Sequence, residues 1–369
     1  MTTAFPLLRL PHLVLMPILE QMEFMESIAL SVLSKRARMF VKLLKMKCEH
    51  INLKLIGDRL EMTVVFNNRR IYVDINTDKK QPADLKYRDD YIRWWPGLPV
   101  PIHYALPIID VTHCQSIKQL TLDRVYEYDP SPLFAKLPRI GEFIVEDNFW
   151  TRDIVQQKIK LQKLLKIVLP ISSAVTISSH ILNPEDLREI IRGKFESVTV
   201  RKYRIDNMPN RDMKFSLNDL KMTNVKSLEL AHPVFTLEDL NRYFKLWMRK
   251  KCNPRLEYLR VWQNGSVNKD LLLDGLNAVQ MPIRTDRTFR VLGNVIKLGS
   301  FEEITAQFDI TRVDGKTATI RISTYGTVSF YVWPESTNDT TNHEPNQSSL
   351  TRKFSWLSIF YNSCIDRFK

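Results

Sequence analysis

The sequence predicts an α/β chain with a small helical unit at the N-terminus, a curved repeat-like α/β part, and a short β-rich part near the C-terminus. Three observations lead there. Apolar residues between 10 and 47 recur at helical spacing. Six short segments between 117 and 261 carry apolar residues at i, i+3 and i+5. Residues 286–333 alternate in strand fashion around turn signals.

The bulk numbers bound the problem. Hydrophobic residues make up 44% of the 369, which supplies a sizeable core and argues against wholesale disorder. The length suits two or three domains. Only 10 glycines are present, too few for a chain built on glycine-rich phosphate loops. A net charge of +13 favours acidic partners of some kind.

Leu10-Pro11 reads as a helix start, because proline is favoured in a first turn. Val14, Leu15, Ile18, Leu19 and Met22 follow at the spacing of one helix face. Ile28, Val32 and Leu33, then Phe40, Leu43, Leu44 and Met46, continue the pattern as short helices. Pro17 falls inside the first helix, where it removes a backbone hydrogen bond and predicts a kink.

Residues 50–75 alternate, with turns at Gly57-Asp58 and Asn67-Asn68, and read as hairpins. The stretch WWPGLPVPIHYALP, 94–107, reads as an irregular connection. The six triplets come next: Ile117/Leu120/Leu122, Ile140/Phe143/Val145, Leu164/Ile167/Leu169, Phe195/Val198/Val200, Val225/Leu228/Leu230 and Leu256/Leu259/Val261. Their starts are 23, 24, 31, 30 and 31 residues apart. This is the xxLxL core of a leucine-rich repeat, although the usual asparagine is missing. Helices are expected between the later triplets. Asn183 and Thr236 are their N-caps, with Pro184 in one first turn and Asp239 at the third position of the other. Strand, helix and strand at a near-constant period predict a leucine-rich-repeat-like, curved, parallel, right-handed array. Asp314-Gly315 marks a later hairpin turn, and TVSFYVW a further strand. The resulting division is 4–49, 50–109, 110–285, 286–334 and a polar, disordered tail at 335–369.

Little in the sequence points to catalysis. GKT at 315–317 lacks the glycine a phosphate loop needs five residues earlier, where Ile310 stands. Neither GxSxG nor HExxH occurs, and no carboxylate pair stands out by its spacing. The four cysteines, Cys48, Cys114, Cys252 and Cys364, are scattered without a CxxC pair. They predict reduced thiols in the cytoplasm and/or nucleus. Cys48 with His50, and His113 with Cys114, are too isolated in sequence to form a ligand set. No run of 18 apolar residues occurs, and a basic leader is missing from residues 1–4, so neither a membrane partner nor a signal peptide is expected. No catalytic residue, cofactor or metal is expected.

Residues 10–38 run from Leu10-Pro11, through Val14-Leu15, Ile18-Leu19 and Met22, to IALSVLSKRAR. This pattern resembles an F-box: an LP start, an apolar helix, a short joint, and a second helix of L-S-x-x-S/C-K-R type. NPRLEYLRVW at 253–262, and DGKTATIRIS followed by a strand ending in VW, resemble the nematode-type F-box-associated domain, type 2. The resemblance implies a non-enzymatic substrate receptor. Its F-box would bind a Skp-family adaptor and thereby a cullin–RING ubiquitin ligase, and its C-terminal domain would bind an unidentified target protein, acidic in keeping with the charge. By the resemblance, Leu10, Pro11, Val14, Leu15, Ile18, Leu19, Leu30, Val32 and Leu33 lie in or beside the adaptor contact. Ala37 stands where many F-boxes carry tryptophan. Two other readings stay open. One is a nucleic-acid-binding protein using SKRARMFVKLLKMK, although no RNP-type or helix-turn-helix motif supports nucleic acid as the partner. The other is an F-box-derived module that no longer engages the ligase.

Overall fold

Most of the apolar triplets become neighbouring rungs of one sheet. The computed structural model describes residues 7–57, 59–67, 69–76, 83–87, 90–94, 102–123, 131–146, 154–178, 184–201, 215–231, 233, 235–263, 265–283, 288–291, 294–297 and 303–334. After a 3-10 turn at Leu7–Arg9, three helices follow: α1 (His12–Gln21), α2 (Phe24–Leu33) and α3 (Lys35–Leu43). Strands β1 (His50–Ile56), β2 (Arg59–Phe66), β3 (Arg69–Asn76), β4 (Ala83–Tyr87) and β5 (Asp90–Trp94) precede helix α4 (Ile102–Val111). The alternating part comprises β6 (Ser116–Leu122), α5 (Ser131–Phe134), β7 (Arg139–Val145), α6 (Ile154–Val168), β8 (Ser172–Ser178) and α7 (Pro184–Arg192). It continues with β9 (Ser197–Arg201), α8 (Leu217–Lys221), β10 (Ser227–Ala231), α9 (Leu237–Met248) and β11 (Tyr258–Trp262). Last come α10 (Lys269–Leu273), β12 (Val279–Gln280), β13 (Thr288–Val291), β14 (Asn294–Lys297), β15 (Ile304–Thr311), β16 (Thr317–Ser323) and β17 (Thr327–Val332).

Fifteen strands make one mixed sheet, in the order β12-β15-β16-β17-β11-β10-β9-β8-β7-β6-β1-β2-β3-β4-β5, and β13 pairs with β14 as a hairpin. From β6 to β11 each strand pairs in parallel with the next one in the chain. The pairing lines up one row across the sheet, past register shifts at Ile51/Asn52 and Ile304/Ala306. Leu53, Leu120, Phe143, Val175, Val198, Leu228 and Leu259 stand side by side, then Phe330, Ile320 and Phe308 across the antiparallel strands. All but the half-buried Phe308 are at most 1% exposed, and they share one apolar cluster with Leu164, Ile191, Leu220, Phe244 and Trp247 of the helices. Burying such a side chain contributes about 1.5–3 kcal/mol, so this row and its partner row anchor the fold.

The first two expected triplets lie wholly on β6 and β7, and the last two residues of the fourth, fifth and sixth lie on β9, β10 and β11, with Phe195, Val225 and Leu256 two residues before each strand. The third does not lie on a strand: Leu164 and Ile167 are in α6 and Leu169 is in the short 3-10 turn after it. The rung at that place is Val175 and Ile177 of β8. An apolar run at i, i+3 also fits a helix face, and Leu161, Leu164, Leu165 and Val168 bury one here. The expected connecting segment 50–109 is in large part sheet. β1 pairs antiparallel with β2 and parallel with β6, so β1–β5 extend the same sheet. Residues 102–107, expected to be irregular, begin α4, because Tyr104, Ala105, Ile108 and Val111 bury a face that packs beside α2 and α3.

Local chemistry explains several ends. Thr236 caps α9 by accepting from the Asp239 N–H at 3.3 Å, and the Asp239 carboxylate accepts the Thr236 N–H at 3.2 Å. Ser216 and Asp219 cap α8 in the same way. Gly315, at φ +87, makes the β15–β16 turn that an L side chain would strain. The expected cap Asn183, the turn residues Asp58 and Asn68, residues 95–101 and the tail at 335–369 lie outside the described residues.

Candidate functional site

The three N-terminal helices divide their apolar residues between an inside and an outside. α2 opens with a capping box, in which the Glu23 N–H donates to the Glu26 carboxylate at 2.9 Å. α3 opens on Ser34, whose Oγ accepts from the Ala37 N–H at 3.0 Å. α1 runs unbroken through Pro17. Leu15 and Leu19 of α1 are fully buried, as are Ile28, Ala37 and Val41. Ile28 and Val41 belong to the same apolar cluster as the sheet. Phe24 stacks on Phe66 of β2 with ring centroids 4.6 Å apart, and Lys42 pairs with Asp110 of α4 at 2.6 Å. The helical unit is therefore welded to the end of the sheet.

Its outer surface carries several large apolar side chains. Leu13 is 87% exposed, Val14 49% and Ile18 38% on α1, with Met39 68% and Leu43 52% on α3. Val14 and Ile18, like Met39 and Leu43, are four residues apart and share a helix face. His12 of α1 lies beside Phe40 of α3, ring centroids 6.4 Å apart. Exposed Lys35, Arg36, Lys45 and Lys47 flank these faces. Large apolar residues left in water on two helices of one small unit mark a surface for another protein.

The residues expected at an adaptor contact thus separate. Pro11, Val14 and Ile18 are exposed; Leu10, Leu30 and Val32 are half-buried; Leu15 and Leu19 are core. The side chain of Leu33 lies outside the described residues. Leu13, Met39 and Leu43, exposed on the same two helices, were not among the residues expected there. Ala37, expected as a missing aromatic anchor, points into the core.

A second surface lies on the sheet face opposite the buried rows, because alternate strand residues point to opposite faces. Near β1, β6 and β7 it is built on carboxylates. Glu142 accepts from Gln119 Nε2 at 3.3 Å and Thr176 Oγ1 at 2.9 Å, and Lys54 meets Asp123 at 3.2 Å and Glu146 at 3.1 Å. Burial works against the Lys54 cation, but the bonds to Glu146 and Asp123 outweigh it and raise its pKa. Around β11 and β17 the surface is aromatic and cationic. The Arg260 guanidinium lies 4.2 Å from the Trp262 ring, the Tyr258 and Tyr331 rings are 5.1 Å apart, and Trp333 Nε1 donates to Thr319 Oγ1 at 2.7 Å.

Among the described residues no three histidine, cysteine or carboxylate side chains gather as a metal site, and no helix is long and apolar enough to cross a membrane. Residues 7–49 match the family model of the F-box domain, and residues 186–261, from α7 through β11, match the F-box associated family model. The match takes in the NPRLEYLRVW motif up to Val261 and stops short of DGKTATIRIS. No curated protein and no solved structure matches the chain.

Proposed function

We propose that this chain, which carries an F-box followed by an F-box associated domain, is a non-enzymatic substrate-recognition subunit of an SCF-type cullin–RING ubiquitin ligase. The F-box docks on a Skp-family adaptor through the outer faces of α1 and α3, and the sheet domain holds a target protein. Ubiquitin transfer belongs to the ligase partners. The observation that carries this reading is the exposed set Leu13, Val14, Ile18, Met39 and Leu43 within the F-box match. Such residues gain by being covered, and anchors of this kind contribute about 2–4 kcal/mol each to an interface. The polar and aromatic sheet face is the second half of the proposal, since tyrosine, tryptophan and arginine are the residue types that dominate protein interfaces.

The test is capture of purified Skp-family adaptor by the full chain, at low and moderate salt, beside the variant Val14→Asp/Ile18→Asp. Capture that tolerates salt and is lost in the variant supports the reading. A wild-type chain that ignores the adaptor refutes it. The nucleic-acid alternative predicts instead that partner binding collapses as salt rises, because phosphate contacts release counterions.

A further inference from the structure

The structure joins two cysteines that lie 66 positions apart in the sequence. Cys48 sits in the loop between α3 and β1, and Cys114 in the loop between α4 and β6. Because β1 and β6 pair in parallel, with Ile51 opposite Ile117, the two loops enter the sheet side by side. The Cys48 N–H donates to the Thr112 carbonyl at 3.2 Å, and the Cys114 N–H to the Ile109 carbonyl at 3.3 Å. Between them His113 adopts a left-handed backbone, φ +46, and its Nε2 lies 3.0 Å from the Lys42 carbonyl oxygen. The backbone bond to Thr112 sets Cys48 across the seam from the residue two positions before Cys114, and each thiol's ionisation feels the other; Cys114 Sγ lies 3.0 Å from the Ser116 carbonyl oxygen. Both cysteines are free and half-buried, so a small solute can reach them, whereas Cys252 is buried.

We propose that Cys48 and Cys114 form a redox modification site, a dithiol that a small hydroperoxide converts into a disulfide across the seam between the F-box helices and the sheet. The neighbouring thiols divide the labour. The influence of Cys114 draws the Cys48 thiol down while Cys114 itself is pushed up, so we place the nucleophile at Cys48. The Cys48 thiolate attacks one peroxide oxygen. An S–O bond forms, the O–O bond breaks, and the departing hydroxide takes up a proton as water. The Cys114 sulfur then attacks the sulfenic sulfur. The S–S bond forms, the S–O bond breaks, and the leaving hydroxide takes the Cys114 proton as a second water. The two thiols lose two electrons and the peroxide gains them. In a reducing compartment such a bond is transient, as suits a sensor.

The test uses the full chain, treated with one equivalent of hydrogen peroxide, blocked with iodoacetamide and mapped by mass spectrometry without reductant. With the block applied in denaturant so that buried thiols also react, the expected result is one linked peptide pair containing Cys48 and Cys114, reversed by dithiothreitol, with Cys252 and Cys364 alkylated. In Cys114→Ser, dimedone should trap a sulfenic acid at Cys48; in Cys48→Ser, Cys114 should remain an alkylatable thiol. No linked pair, or oxidation at Cys252 or Cys364 before Cys48, would overturn the proposal. So would equal peroxide reactivity of Cys114 in the Cys48→Ser variant.

Discussion

The division of α1 into an inner and an outer face makes a crossed prediction. Leu19→Ala removes a fully buried side chain, and Val14→Asp places a charge on a side chain already 49% exposed. Truncating a buried leucine costs about 2–5 kcal/mol, the lost transfer energy plus the cavity left behind. At roughly 2–4 °C per kcal/mol that lowers the melting temperature by about 4–20 °C. Val14→Asp leaves water-exposed surface exposed and should shift it by about 2 °C or less, since exposed substitutions fall within about 0.5 kcal/mol. Binding should move the other way. At about 1.4 kcal/mol per tenfold, loss of an anchor contributing about 2–4 kcal/mol weakens adaptor affinity about 30- to 700-fold. Differential scanning calorimetry on the free chain and isothermal titration with adaptor read the two effects separately. A Leu19→Ala chain that melts with wild type, or a Val14→Asp chain that melts well below it, would mean that α1 docks with its other face inward, and the reasoning would fail.

Ala37→Trp, which restores the residue many F-boxes carry, should destabilise the free chain by about 1–3 kcal/mol or more, because the position is fully buried and an indole overfills it; chemical denaturation checks this. Asp219, buried at the start of α8, is held below the usual carboxylate range: burial opposes its charge, but bonds from Ser216 and from Arg188 at 2.8 Å outweigh that. A depressed carboxyl adds stability that is present above its unfolded value near 4 and lost as pH falls through the folded value. The stability gap between wild type and Asp219→Asn should therefore be widest near neutral pH and narrow on acidification below about 4, followed by melting temperature against pH. Deleting the α1–α3 region should cost the remaining chain stability, because Met25, Ile28, Ala29, Val41 and Met46 share the core of the sheet; limited proteolysis of a 50–369 fragment should show faster cleavage than the full chain.

Much of this was legible because local signals agreed with the final fold. Thr236 with Asp239, and Asp314 with Gly315, sit where caps and turns require them. The i+3 and i+5 residues of five triplets lie on strands because a parallel sheet buried on one face needs apolar residues two apart. The third triplet fell in α6 because spacing alone cannot tell a buried helix face from a strand. β1 was legible as half of a hairpin, but its second edge, against β6, depends on a pairing across more than sixty residues that no local pattern encodes. The same pairing brings Cys48 to Cys114. The sorting of α1 was hidden for a related reason. Leu13, Val14, Leu15, Ile18 and Leu19 are apolar around most of the helix, so periodicity alone does not tell which of them are inside. Ala37, where the sequence predicts a missing aromatic anchor, is fully buried, while Met39 and Leu43 on the same helix are exposed.

The most direct test of the central claim is reconstitution. Purified full chain, Skp-family adaptor and the N-terminal part of the cullin scaffold are mixed at moderate salt and run by size-exclusion chromatography with light scattering. The account predicts a single peak whose mass equals one copy of each, and loss of this chain alone from that peak in the Val14→Asp/Ile18→Asp variant. A wild-type chain that elutes by itself while adaptor and cullin co-elute would contradict it.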